Sequence, residues 1–152
     1  MKAELKIKEI THTEIVNLIS TAACGSNWLG IDYNEDEYNS LASDKKSKNP
    51  CFEEKMADLL LAGKSVEFYD MYCEDKDDFY GNLFHRYDKE NGFMFYSVTL
   101  KDFINGLEKA ATSSEWGAEC FCNFVFDDSY NLDSCGADTL IQYVIFGSYI
   151  YG

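Results

Sequence analysis

Asn91-Gly92-Phe93-Met94-Phe95-Tyr96-Ser97-Val98 carries the strongest hairpin signal in the chain. Asn-Gly accepts the positive φ angles of a two-residue hairpin turn, and the aromatic run after it suits a half-buried pleated strand. Upstream, Phe79 to Tyr87 reads as the strand that enters this turn. Further back, Lys64 to Tyr72 reads as another, with Val66 and Phe68 on one face and the acidic stretch Cys73 to Asp78 as the connecting turn. The expectation is a small three-stranded antiparallel meander over about residues 64–98. Three strands with one apolar face need a helical layer to cover them.

The flanking sequence supplies that layer. Thr11-His12-Thr13-Glu14 has the spacing of a capping box, and Ile15, Leu18, Ile19 and Ala22 then recur along one helical stripe until Gly25. Residues 26–50 read as polar and irregular, with a short helical turn around Glu35 to Leu41. Phe52 to Ala62 forms a second helix with Phe52, Met56, Leu59 and Leu60 on its stripe, stopped by Gly63. Thr99 caps a third, with Leu100, Phe103, Ile104 and Leu107 inward. Trp116 to Phe126 fits either period; helix is the reading taken. Asp133 or Ser134 starts a last helix through Leu140, Ile141, Val144 and Ile145 that ends at Gly147. The expected class is α+β: one domain over residues 1–152, with the sheet packed against four to five helices.

The charge of this 152-residue chain is −14, from 27 acids against 13 Lys and Arg. It is not a tail, because residues 1–62, 63–112 and 113–152 carry −4, −4 and −6. Such a surface repels phosphate backbones and anionic membranes, so a direct nucleic-acid or membrane partner is disfavoured and a basic protein favoured. The only basic cluster, Lys45-Lys46-Ser47-Lys48, lacks a glycine-rich turn and reads as an exposed loop. No signal-peptide stretch follows Met1, and no run nears the ~18 apolar residues of a membrane span. A cytoplasmic protein with reduced cysteines is expected.

Three acidic groups are the candidate partner-binding residues: Asp32, Glu35, Asp36 and Glu37; Glu74, Asp75, Asp77 and Asp78; and Asp127 with Asp128. Aromatic residues flank each, namely Tyr33 and Tyr38, Tyr72 and Phe79, Phe126 and Tyr130. Arginine pairs carboxylates through its fork and stacks on aromatic rings, so this pattern suits a basic partner. The plainer reading is solvated loops that keep the protein soluble. Asp75-x-Asp77-Asp78 lacks the Gly and Glu that a calcium loop requires.

Cys120, Cys122 and Cys135 are the candidate metal ligands, with Cys51 or Cys73 as a fourth and His85 as a weaker one. Zinc wants four such ligands near a tetrahedron, yet C-x-C is not the usual knuckle spacing. The commoner role for such cysteines is as small buried apolar groups. No cofactor is required by any motif. The two histidines, His12 and His85, select no Cys–His nucleophile pair, and no catalytic motif is complete, so an enzyme is not expected.

Two further stretches carry a resemblance. Thr21-Ala22-Ala23-Cys24-Gly25-Ser26-Asn27-Trp28 is similar to a segment of many small phage and mobile-element proteins, where it often reads T-A-L-E-G-G-S-N-Y-W. Ala137-Asp138 through Gln142, Phe146-Gly147 and Tyr151-Gly152 resembles the same group's ending, A-D-x-x-x-Q-x-x-x-F-G-x-x-x-Y-G. Cys24 stands where Glu is usual, and one of the paired glycines is missing. The resemblance implies phage origin, an accessory role in the host bacterium's cytoplasm, and no inherited active site. Small acidic phage proteins of this size include anti-CRISPR inhibitors, and RNA-guided nucleases hold nucleic acid in positively charged channels. The function expected is a non-enzymatic inhibitor that binds such a channel and blocks DNA or RNA loading. The alternatives are a nucleotide-signal binder, with a pocket around Asn27, Trp28, Gln142 and Tyr143, and a zinc-stabilised interaction module.

Overall fold

The computed structural model describes residues 9–114, 116–126 and 132–152. Among the described residues, six α-helices and a four-stranded antiparallel sheet make an α+β arrangement. Helix α1 (His12–Gly25) starts where the capping box places it. The Thr11 hydroxyl accepts from the Glu14 backbone N–H at 3.2 Å and donates to the Glu14 carboxylate at 3.0 Å. Ile15, Leu18, Ile19 and Ala22 are fully buried on its stripe.

Strand β1 (Leu29–Asp32) follows, and then α2 (Glu35–Asn39), capped by the Asn34 side chain accepting from the Glu37 N–H. A single 3₁₀ turn at Ser43–Lys45 leads to α3 (Phe52–Leu61). Strands β2 (Val66–Asp70), β3 (His85–Asp88) and β4 (Phe93–Val98) complete the sheet. Helices α4 (Leu100–Ala111), α5 (Trp116–Phe126) and α6 (Ser134–Phe146) close the described chain, so the ambiguous cysteine-rich stretch is helical.

Two features of the sheet correct the sequence reading. A fourth strand, β1, lies in the stretch taken as irregular. Leu29-Gly30-Ile31-Asp32 is too short, and glycine too poor a strand former, for the pattern to show. The strand order is β1-β2-β4-β3, which is not a meander. The hairpin pairs β3 with β4, with Asp88 opposite Phe93, but its loop is the four residues 89–92 rather than a two-residue turn, only Gly92 of the Asn-Gly pair has a positive φ, and β2 lies on the far side of β4. The reason is packing. Met94, Tyr96 and Val98 are fully buried, so β4 takes a central place. The segment before β3 does not extend from Phe79 as expected. Gly81 adopts φ +78° with its Cα against the Phe146 backbone, where a Cβ would lie 2.7 Å from the carbonyl oxygen. The Tyr80 N–H donates to the Tyr96 hydroxyl.

Alternation gives the sheet two unlike faces. Val66, Phe68, Met94, Tyr96 and Val98 are buried on the inner face, against which α1, α3 and α4 pack. Helix α6 is apolar nearly all round and packs against α1, α4 and α5, as a helix buried on every side must. No helix among the described residues is long and apolar enough to cross a membrane.

Candidate interaction surface

The outer face of the sheet is built from the alternate residues of the same strands. Antiparallel register sets them in rows. Asp32 stands opposite Glu67, and Glu67 opposite Ser97. In the next row Gly30 stands opposite Tyr69, Tyr69 opposite Phe95, and Phe95 opposite Arg86. The Tyr69 ring stacks on Phe95 at 4.7 Å and on Phe93 at 5.4 Å between centroids. Gly30 is required there, because a Cβ would fall 2.0 Å from the Tyr69 ring. The Arg86 guanidinium lies 4.1 Å from the centre of the Phe95 ring and donates to Glu67 at 3.2 Å. Asp32 and Glu67 are like charges directly opposite each other, an unfavourable pairing that Arg86 relieves.

A groove with a volume of about 220 Å³ crosses this face. Tyr33 and Glu37 line it beside β1, Glu67 on β2, Phe95 on β4, and Arg86 with Phe84 at β3. Phe84 is 78% exposed, the most exposed large apolar side chain among the described residues.

The predicted acidic residues fall into three situations. Asp32 and Glu37 flank the sheet's outer face; Glu35 is held below the ordinary carboxylate range by hydrogen bonding from Tyr33 and then from Lys55, which lies at 3.1 Å; Asp36 is exposed. Glu74, Asp75 and Asp77 are exposed on the loop after β2, while Asp78 is half-buried. That loop holds itself: Asp75 accepts from the Asp77 N–H and Asp78 from the Glu74 N–H, each at 2.8 Å. Asp127 and Asp128 lie outside the described residues. The groove adds Glu67, Arg86, Phe84 and Phe95, with Tyr69 beside it on the same face, none of which the sequence pattern singled out as partner-binding. The signal that could have found them is the outward half of the β2 and β4 alternation, where Tyr69, Phe93 and Phe95 stand in place of polar residues.

Elsewhere the polar side chains serve the fold. Asp58 is buried and accepts four hydrogen bonds: from His12 Nε2 and the Tyr38 hydroxyl at 2.8 Å each, and from the Ser47 N–H and hydroxyl at 2.7 Å each. Burial opposes its ionisation, but the bonds from Ser47, Tyr38 and His12 outweigh that and hold its carboxyl below the ordinary aspartate range. Ser47, His12 and Asp58 together do not make a hydrolytic triad. In a triad the carboxylate and the serine use different ring nitrogens. Here both meet Nε2, and the serine hydroxyl donates to the aspartate.

The cysteines are all free thiols. Burial pushes the thiols of Cys51, Cys73 and Cys120 upward, the direction opposite to an activated thiolate. Cys120 is half-buried, whereas Cys122 and Cys135 are exposed. Among the described residues, no group of three or more His, Cys, Asp or Glu side chains is placed to hold a metal ion.

The two motif segments do meet. Asp138 accepts from the Ser26 hydroxyl at 2.7 Å, the Trp28 indole at 2.6 Å and the Gln142 amide at 2.9 Å. The Gln142 carbonyl accepts from the Ile150 and Tyr151 N–H groups, and its amide donates to the Tyr151 carbonyl. The Tyr151 hydroxyl then donates to buried Asp70 at 2.6 Å. Their polar atoms are spent on one another, which makes the cluster a clasp for the terminal segment. Asn27 is exposed, and the Tyr143 hydroxyl pairs with Ser113.

No protein-family model matches the chain, and neither a curated protein nor a solved structure matches it.

Proposed function

We propose that the chain is a non-enzymatic phage protein of the host cytoplasm that occupies a basic, nucleic-acid-binding surface of a CRISPR effector nuclease and blocks DNA or RNA loading. The observation that carries this reading is the pairing of a −14 charge with carboxylates that face solvent beside aromatic rings. Such a surface attracts a positively charged channel from a distance and supplies rings for its arginines on contact. The self-satisfied geometry of His12, Ser47 and Asp58 supports a binding protein over a hydrolase. The filled hydrogen bonds around Trp28 and Gln142 weigh against a nucleotide-signal pocket at that place.

The test is binding and cleavage inhibition with a broad panel of purified effector nucleases at low salt. The expected result is inhibition of at least one nuclease, relieved by adding nucleic acid before the inhibitor. Absence of binding across the panel would sink the proposal.

A further inference from the structure

We propose that the groove across the outer sheet face receives a short, extended, arginine-bearing segment of a partner protein. This rests on the reading of the chain as a binder of basic surfaces and names the face and the side chain it selects. Four strands about 4.8 Å apart give a floor about 14 Å wide, enough for roughly four residues of extended chain. The floor is aromatic where β4 crosses it, at Phe95. Its two ends differ: the Phe84 ring stands nearly bare beside β3, and the Glu37 carboxylate beside β1 has no ion-pair partner among the described residues.

The groove already holds one example of the contact it would make. The Arg86 guanidinium is stacked on Phe95 and pairs with Glu67. An incoming arginine repeats that arrangement on Phe84, and a second cation meets Glu37. Arginine is preferred to lysine because its planar, weakly hydrated head stacks on a ring while its fork still reaches a carboxylate. Aromatic sheet faces also stack nucleobases, but those faces carry cations for the phosphates. Here Arg86 is neutralised by Glu67, and Asp32 and Glu37 flank the same face, so a basic protein segment is the occupant that the charge admits.

The probe is hexa-arginine, compared with hexa-lysine and with oligouridine of six nucleotides, titrated into the intact chain by calorimetry at low salt. Hexa-arginine is expected to bind at least fivefold more tightly than hexa-lysine. Phe84→Ala, at an exposed position, and Glu37→Gln, a near-isosteric change at a half-buried one, should each weaken it about fivefold to tenfold with an unchanged melting temperature. Glu74→Gln with Asp75→Asn, on the distant loop, should change it less than twofold. Equal affinity for the two peptides, full binding by both groove variants, or tighter binding of oligouridine would overturn the assignment. Because the probe is a peptide, this outcome is read independently of whether any nuclease is the target.

Discussion

Two buried aspartates show how one residue type is tuned in opposite directions by its neighbours. Asp58 keeps its charge because hydrogen-bond donors converge on it. Its folded-state carboxyl lies below the ordinary range, so its contribution to stability is present above about pH 4 and is lost as pH falls through the lowered value. Asp58→Asn turns an amide toward donors and should cost about 3 kcal/mol at neutral pH. In urea titrations the gap to the native chain should close below about pH 4; a gap constant from pH 7 to pH 3 would contradict the account. Asp70 behaves the other way. Burial raises its carboxyl, the bonds from Tyr151 and Tyr72 only partly offset that, and the Asp78 charge adds to the rise. Its favourable contribution belongs to the protonated form and is lost as pH rises through the raised value. Asp70→Asn should therefore gain on the native chain between about pH 4 and pH 7, measured as the difference in melting temperature at each pH.

At the scale of elements, the helices were legible because caps and 3.6-residue stripes are local. Thr11, Thr99 and Asp133 each cap a helix, and each is visible from a few neighbouring residues. The sheet was legible only where pairing is local, at the Asn91-Gly92 hairpin. The partnership of β2 with β4, and the existence of β1, depend on residues far apart in sequence, and no local pattern encodes them. The same holds for the groove: Glu37, Glu67, Arg86 and Phe95 come from four separate segments. Two element-level predictions follow from close contacts. Gly30→Ala should destabilise by about 1–3 kcal/mol through collision with the Tyr69 ring, and in a Tyr69→Ala background the same change should cost under about 0.5 kcal/mol. A double-mutant cycle by chemical denaturation checks this; an equal cost in both backgrounds would rule out the ring as the cause. Gln142→Ala leaves the Ile150 and Tyr151 N–H groups without their acceptor and should cost about 2–3 kcal/mol, with faster hydrogen exchange at Ile150 and Tyr151 than at α4.

For the molecule as a whole, the charge works through association kinetics. Replacing Glu74, Asp75, Asp77 and Asp78 together with Gln or Asn changes the net charge from −14 to −10. Association with a basic partner should slow several-fold at low salt, and the difference should shrink toward unity at about 1 M salt, where screening reaches ~3 Å. Stopped-flow association at several ionic strengths reads this directly, and an unchanged rate at low salt would remove that loop from steering. The groove variants should act instead on dissociation, since they alter contacts made only after the partner has arrived.

The Trp28–Asp138 hydrogen bond joins residues 110 positions apart, and the Ser26–Asp138 bond spans 112. Helix α1 packs against α6, near the other end of the chain. On the ribosome, the stripe of Ile15, Leu18, Ile19 and Ala22 therefore emerges long before α6, one of the two helices packed against α1, exists. The hairpin of β3 and β4 closes locally and α1 can meet β1 and α3 early, whereas the packing of α1 against α6 waits until α6 has been made. During that interval the nascent chain exposes an apolar ridge to the cell, so its yield in vivo depends on chaperone capture and on synthesis rate as well as on the stability of the finished fold.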